Sequence, residues 1–478
     1  MSLAILSDDV IRDLLENLSR EEAESFQDVL KTALHEYSTG TQALGASLYE
    51  QPARTSTYSD RTGATTLFMP STSPAGNAVK VVTVSSPNAD PSLPTIRPTG
   101  SLTLYSPAGN PVGFLHAQTL TAFRTALASS ALLTKRATVR TLTVFGSGLQ
   151  AYWHIRLALL LRGTTIRTVN IINRAFSDNA RDILKRFYAV PLAIKEREGW
   201  DQAQFSILTP GYGEYNRLQR EHIRAADVIY CCTPSTDELF DASILTSHEG
   251  RKKGRLIVAI GSYTKDMREL PRELLVQATR THQHGHLHYH KHAVEGGVIV
   301  VDSLDGALRE AGEIIDAGLG PKQLVELGEL IMIKRLELAG EDNSSHASTD
   351  TSSLSESVEK LDLTSQGSAM SSIYGDATPK RSSSQSPSRS STNSSARTSS
   401  PSRLHLPSFR HRRTGSRSST TEDSGSKKHH DHLARWLTSG NVIYKSVGLG
   451  LMDLVVGLQV VELASARGVG TNIDGFSP

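Results

Sequence analysis

The 478-residue sequence predicts an α/β chain of two domains, one of them discontinuous, interrupted by a long polar insert. Three observations carry this. A short apolar run at 141–145 leads into Gly146-Ser147-Gly148-Leu149-Gln150-Ala151, then a helical stretch closed by Arg162 and Gly163, then a second run at 168–173. Before it lie amphipathic helices and alternating runs, a different grammar. After it, 38 of the 90 residues at 341–430 are Ser or Thr, and such a stretch cannot bury enough apolar surface to offset its ordering entropy.

The whole chain is 38% apolar and 21% charged with a net charge of +2, which excludes a collagen, a membrane bundle or a wholly disordered chain. The charge is unevenly placed. The insert holds 12 Lys/Arg against 9 Asp/Glu, and everything else holds 39 against 40. A neutral globular part predicts no nucleic-acid partner. The start, Met-Ser-Leu-Ala-Ile-Leu-Ser-Asp-Asp, has no basic n-region and predicts no signal peptide. Cys231 and Cys232 stand side by side without other cysteines to pair with, which predicts a reducing compartment and a cytoplasmic protein. The apolar run at 447–464 is broken by Asp453, Gln459 and Glu462, so it reads as a core helix and not as a membrane span.

Taken in order, Ser7-Asp8-Asp9 caps an apolar stripe, and Ser19 with Glu22 forms a capping box before a second one that stops at Gly40. The runs at 79–84, 101–105 and 112–116, separated by Pro, Gly and Asn clusters, predict an antiparallel sheet. A helix follows over 119–135. Then comes the strand, glycine turn, helix and strand of a βαβ unit, with further buried strands at 226–230 and 255–260. Two glycines let the backbone turn tightly and approach a pyrophosphate, a small third residue lets helix and strand pack, and the helix N-terminus offers N–H donors. The fold class is therefore α/β: a Rossmann-type NAD(P)-binding domain plus a discontinuous α+β domain, with a long disordered insert. The expected boundaries are 1–136 for the first part of the discontinuous domain, 137–303 for the nucleotide domain, 304–340 for a helical return, 341–432 for the insert and 433–478 for the C-terminal part of the discontinuous domain.

The second βαβ strand ends in Asn173-Arg174, where an NAD site usually has an acidic residue for the ribose 2′-hydroxyl. A guanidinium can hold a 2′-phosphate that a carboxylate would repel, which predicts NADP(H) in preference to NAD(H).

Several blocks resemble the ornithine cyclodeaminase/mu-crystallin family, which includes ketimine reductases and archaeal-type alanine dehydrogenases. They are Gln51-Pro52-Ala53-Arg54-Thr55, Ala78-Val79-Lys80-Val81-Val82, Thr121-Ala122-Phe123-Arg124-Thr125-Ala126, the glycine turn, Ile172-Asn173-Arg174, Ala226-Asp227-Val228-Ile229, Ile260-Gly261-Ser262 with Met267-Arg268-Glu269-Leu270, Val301-Asp302-Ser303 and Tyr444-Lys445-Ser446-Val447-Gly448. The resemblance alone implies that the discontinuous domain is a substrate/dimerisation domain, with a homodimer and a small amino- or imino-acid substrate. It implies that Arg54 and Arg124 hold the substrate carboxylate, with Lys80 beside the reacting carbon and nitrogen. Two guanidiniums suit bidentate recognition of an α-carboxylate, and a buried lysine can have its pKa lowered enough for proton transfer. The implied cofactor contacts are Gly146, Ser147, Gly148, Leu149, Gln150, Asn173, Arg174, Thr233, Gly261, Ser262 and Ser446.

The sequence departs from the family at Gly261-Ser262-Tyr263, where cyclodeaminases carry an acid/base aspartate at the place of Tyr263. This favours an NAD(P)H-dependent ketimine reductase or amino-acid dehydrogenase over an ornithine cyclodeaminase that releases proline and ammonia. It also leaves a non-catalytic NADPH-binding protein of the mu-crystallin kind as an alternative. Two features fall outside the pattern. His282, His284, His286, His288, His290 and His292 alternate as on a strand face, read as a solvated extension and not as a metal site. The insert splits into an acidic half at 341–379 and a basic half at 380–430, with Thr378-Pro379, Ser386-Pro387, Ser400-Pro401 and Arg412-Arg413-Thr414-Gly415-Ser416 as sites for kinases.

Overall fold

The structure, a computed structural model, describes residues 2–40, 48–86, 89–90, 92–262, 264–280, 296–330 and 436–476. Tyr263, the histidine run and the 341–432 insert lie outside the described residues.

The first sheet is built from β1 (Leu3–Leu6), β2 (Thr55–Ser59), β3 (Ala64–Ser73), β4 (Gly76–Ser85), β5 (Thr99–Tyr105), β6 (Pro111–His116) and, from the far end of the chain, β15 (Thr471–Ile473). Its order is β15-β1-β6-β5-β4-β3-β2. The meander from β2 to β6 is antiparallel, but β1 runs parallel to β6, so the sheet is mixed and not the antiparallel one expected from the sequence. The four residues of β1 are too few to show a period of their own beside the helix that follows.

The predicted helices form over Asp8–Glu16 and Arg20–Gly40. Ser7 Oγ accepts from the Val10 N–H, and Ser19 and Glu22 exchange backbone-to-side-chain hydrogen bonds at 2.8 and 3.1 Å, a complete capping box. The helix Ala117–Leu133 carries Arg124 and is buried along nearly its whole length.

The second sheet comprises β7 (Thr141–Phe145), β8 (Thr168–Ile172), β9 (Gln204–Leu208), β10 (Val228–Cys231), β11 (Leu256–Ala259), β12 (Val298–Val301), β13 (Val325–Glu326) and β14 (Val442–Lys445). All are parallel, in the order β13-β12-β14-β11-β10-β7-β8-β9. The strand order reverses between β7 and β10, which opens the crevice where open α/β sheets bind ligands. The α/β class with a Rossmann-type and a discontinuous second domain is the one expected from the sequence.

Two boundaries need correction. Of the expected helical return at 304–340, the described residues 304–330 are not only helical, since β13 pairs with β12, and the described part of 433–478 does not return directly to the first sheet, since β14 first inserts between β11 and β12. β14 is buried on both faces and lacks alternation, so its apolar residues merge with the apolar helix after it. That helix, Gly450–Ala466, then packs on the first sheet and on the helices Arg20–Gly40 and Ala117–Leu133. Among the described residues no helix is long and apolar enough to cross a membrane.

The two domains share a core. Phe123 meets Phe26 at 5.7 Å and Trp153 at 5.3 Å, both edge-on, and Trp153 belongs to Leu149–Arg162, the helix after the glycine turn. Ser129 and His154 link the same two helices at 2.9 Å. At the carboxyl edge of the parallel sheet, the loop after β14 thereby reaches Arg124 at Gly448.

Candidate functional site

Lys80 projects from β4 into the space between the first sheet and the C-terminal helix, where it is only 3% exposed. Its Nζ donates to Asp453 Oδ2 at 2.5 Å, and Arg124 Nε donates to Asp453 Oδ1 at 3.2 Å. Asp453 is wholly buried in the first turn of Gly450–Ala466, where the helix N-terminus favours negative charge. Two cations therefore share one carboxylate. Burial pushes the Lys80 pKa down to about 8; Asp453 opposes the fall, while Arg124 and Arg54 add to it. An amine that titrates near neutrality can give a proton or take one.

Arg54 stands at the entrance to β2, in a cleft of about 260 Å³ lined among others by Tyr37, Met69, Glu310, Val447 and Gly448. Its guanidinium pairs with Glu310, across the cleft on the helix Leu304–Glu310. The approach to Arg54 is fixed by Gln51, whose Oε1 accepts from the Leu451 N–H at 2.9 Å and whose Nε2 donates to the Pro70 carbonyl at 3.0 Å. Asp302, buried at the end of β12, accepts from Ser446 Oγ at 2.8 Å, the Val447 N–H at 3.1 Å and the Gly448 N–H at 2.7 Å. It thus shapes the loop between β14 and the C-terminal helix. Gly448 has φ +88°, and a Cβ there would stand 2.9 Å from Arg124 Nη2, so the loop reaches the arginine only with glycine.

At the crevice, Gly146 has φ +100° and a Cβ would meet the Cys232 carbonyl at 2.9 Å. Gly148 begins the helix Leu149–Arg162 without a side-chain cap and faces open space. The turn, the N-terminal N–H groups of this helix and the open approach suit a dinucleotide pyrophosphate. Ser147, Leu149 and Gln150 belong to the same turn. Asn173 Nδ2 donates to the Ala175 carbonyl at 2.7 Å, and Arg174 is exposed beyond β8 with no acidic residue in its place.

The loops after β10 and β11 are held by a second buried network. Glu269 accepts from the Thr233 N–H, Thr233 Oγ1 and the Gly261 N–H at 2.7, 3.1 and 2.7 Å. Gly261 lies so close to Thr233 that a Cβ would stand 2.0 Å from its carbonyl oxygen. Glu313 accepts from Ser262 Oγ at 2.6 Å and the Glu269 N–H at 2.9 Å, and Lys445 Nζ lies 3.4 Å from it while donating to the Ser262 carbonyl at 2.8 Å. Burial raises the Glu269 pKa.

The structure therefore brings Arg54, Lys80 and Arg124 together, and sets Gly146–Gln150, Thr233 and Gly261 along one edge of the sheet. Ser262 and Ser446 are different: both are buried, and their hydroxyls are engaged by Glu313 and Asp302. The sequence reading missed Asp453, Glu310, Asp302, Glu269, Glu313 and Lys445 as site residues. Asp453 had a signal, a carboxylate inside an apolar helix just after the Ser446-Val447-Gly448 block; Glu310 had none.

Comparison with known proteins agrees with the fold. An uncharacterised protein of Saccharomyces cerevisiae is 28% identical over 365 residues, 71% of this chain and 89% of that one. A Delta(1)-pyrroline-2-carboxylate reductase of Bacillus cereus is 28% identical over 289 residues, 58% of this chain and 73% of the enzyme. The solved Thermococcus litoralis Delta(1)-pyrroline-2-carboxylate reductase, in complex with NADH and L-proline, superposes with a TM-score of 0.56 at 18% identity, covering 98% of this chain and 100% of that one. The model of the ornithine cyclodeaminase/mu-crystallin family matches residues 11–199, a span that includes Arg54, Lys80, Arg124 and the glycine turn. Over residues 11–199, about two fifths of its length, the chain is thus similar to the ornithine cyclodeaminase/mu-crystallin family.

Proposed function

We propose that the protein is an NAD(P)H-dependent reductase of C=N bonds next to a carboxylate, able in reverse to oxidise the corresponding amino acid. The observation that carries this reading is the Lys80–Asp453–Arg124 cluster, a buried amine held near pH 8 beside guanidiniums and at the junction with a dinucleotide crevice. The pyrroline-2-carboxylate reductase among its relatives supports the same class. Arg124 and Arg54 take the substrate carboxylate in this reading, by charge-assisted hydrogen bonds that orient the adjoining C=N carbon.

The dinucleotide supplies a hydride when bound, held by Gly146, Ser147, Gly148, Leu149, Gln150, Thr233 and Gly261. Asn173 and Arg174 lie at the adenosine end, and the exposed guanidinium favours the 2′-phosphate of NADPH. The ammonium of Lys80 gives its proton to the imine nitrogen, hydride then adds to the carbon of the iminium so formed, and the resulting lysine amine is reprotonated from solvent after product leaves. Asp453 holds the Nζ in place and keeps its pKa from falling further. A homodimer and a cytoplasmic setting complete the reading.

The test is oxidation of NADPH, and of NADH beside it, with Delta(1)-pyrroline-2-carboxylate, together with ammonia release from ornithine. Turnover of the imine with a lower KM for NADPH is expected. Ammonia release without imine reduction would replace this reading by the cyclodeaminase, and cofactor binding without either turnover would replace it by a binding protein.

A further inference from the structure

The Arg54–Glu310 pair is unlike the inner cluster. Lys80 and Arg124 share the single carboxylate of Asp453, which leaves one positive charge for an incoming carboxylate. Arg54 and Glu310 already balance each other across the cleft, with side chains 22% and 28% exposed. If Arg54 turns to a ligand carboxylate, Glu310 is left facing the cleft. Burial already raises its pKa against the pull of Arg54 and the weaker pull of Arg309, whose guanidinium pairs with Asp305 at 2.8 Å, so a carboxylate stranded there is costly. A ligand with a cationic nitrogen next to its carboxylate satisfies both ends. A ligand with only the carboxylate satisfies one.

We propose that Glu310 is a specificity residue of the cleft: it occupies Arg54 while the site is empty, yields it to the substrate carboxylate, and then pairs with a positively charged iminium or ammonium nitrogen. The cleft thereby selects zwitterionic imino and amino acids over plain carboxylates and 2-oxo acids of the same shape. The inference rests on the reading of Arg54 as a carboxylate-binding residue, and the experiment separates the two.

Equilibrium binding of L-proline and of (S)-tetrahydrofuran-2-carboxylate, which has the same ring with oxygen in place of the cationic nitrogen, is measured on the full chain saturated with reduced dinucleotide, so that no turnover occurs. The wild type should bind proline at least about tenfold more tightly. Glu310→Gln should tighten the oxygen analogue and weaken proline, so that the preference falls to about twofold or less. Glu310 ends a short helix at the cleft and is half-buried, and unchanged thermal unfolding and dinucleotide affinity of the variant show that it folds. A preference that survives Glu310→Gln unchanged overturns the role of Glu310 alone, provided Arg54→Met weakens both ligands. Binding of both ligands that is indifferent to Arg54→Met, or no binding of either to the wild type, overturns the carboxylate site and the inference with it.

Discussion

Two lysines lie buried at the domain junction and have been given opposite surroundings. Lys80 meets one carboxylate that it shares with Arg124, and its pKa is pushed down to about 8. Lys445, only 1% exposed, meets Glu313, the Ser262 carbonyl and the Ser262 hydroxyl, with Glu269 one hydrogen bond further on. Lys80 has too little negative charge around it to be fixed as an ammonium at every pH. Lys445 has acceptors on every side that the loops after β11 can offer. At Lys80 the lowered pKa comes from burial together with a carboxylate that is shared with Arg124.

The sharpest way to break this contrast is to remove each lysine in turn. Lys80→Met should lower kcat for imine reduction by about 10³-fold, the scale of a lost proton donor, while dinucleotide affinity stays as it was. The variant should fold, because Asp453 keeps Arg124 as its partner. Steady-state kinetics beside fluorescence titration of the dinucleotide read the two separately. Lys445→Met should act instead on stability. It strands Glu313 and Glu269 without their cation, at a cost of about 3–5 kcal/mol, seen as a fall in Tm of about 10 °C. If Lys445→Met were as stable as the wild type, the locked half of the contrast would be wrong.

A smaller effect is expected at the loop that leads from Lys445 to the helix carrying Asp453, the partner of Lys80. Gly448→Ala should cost about 1–3 kcal/mol through its positive φ, and it should raise KM for the imino acid, since the new Cβ presses on Arg124. A change in kcat with KM unaltered would mean that the loop does not set the arginine. The smallest effect should be at Arg174. Arg174→Ser should raise KM for NADPH about tenfold and leave NADH unchanged, because an exposed guanidinium gains its energy only from the 2′-phosphate. Equal effects on both dinucleotides would remove Arg174 from that role.

Much of the frame was legible in the sequence. The capping box at Ser19 and Glu22 and the strand, turn and helix around Gly146 are local patterns, set by residues within a few positions of one another. Arg54, Lys80 and Arg124 were found only through their blocks, since nothing in the spacing brings a loop, a strand and a helix together. Their partners were hidden for a physical reason. Asp453 sits in a helix that is apolar on all sides, where periodicity cannot tell an inward carboxylate from an outward one, and it meets Lys80 across 373 residues of sequence. Glu310 lies in a helical segment of mixed charge, where a cleft residue looks like any solvated one. Lys445 was quoted within its block, but its burial follows from β14 entering the middle of the parallel sheet, and four residues buried on both faces carry no alternation to announce it.

The central claim is that Lys80 is the proton donor and that its surroundings set its pKa near 8. The pH dependence of kcat/KM for reduction of Delta(1)-pyrroline-2-carboxylate, which reports the groups of the enzyme before the imino acid binds, tests it most directly. Below about 8 the lysine is an ammonium and can give its proton; above, it is increasingly the amine, so kcat/KM should fall toward tenfold per pH unit, and the reverse oxidation should rise through the same range. Asp453→Asn, which takes away the charge that opposes the fall, should move that limb to lower pH. A rate that stays level from pH 7 to about pH 10, or a limb that survives unchanged in both Asp453→Asn and the residual activity of Lys80→Met, would contradict the account.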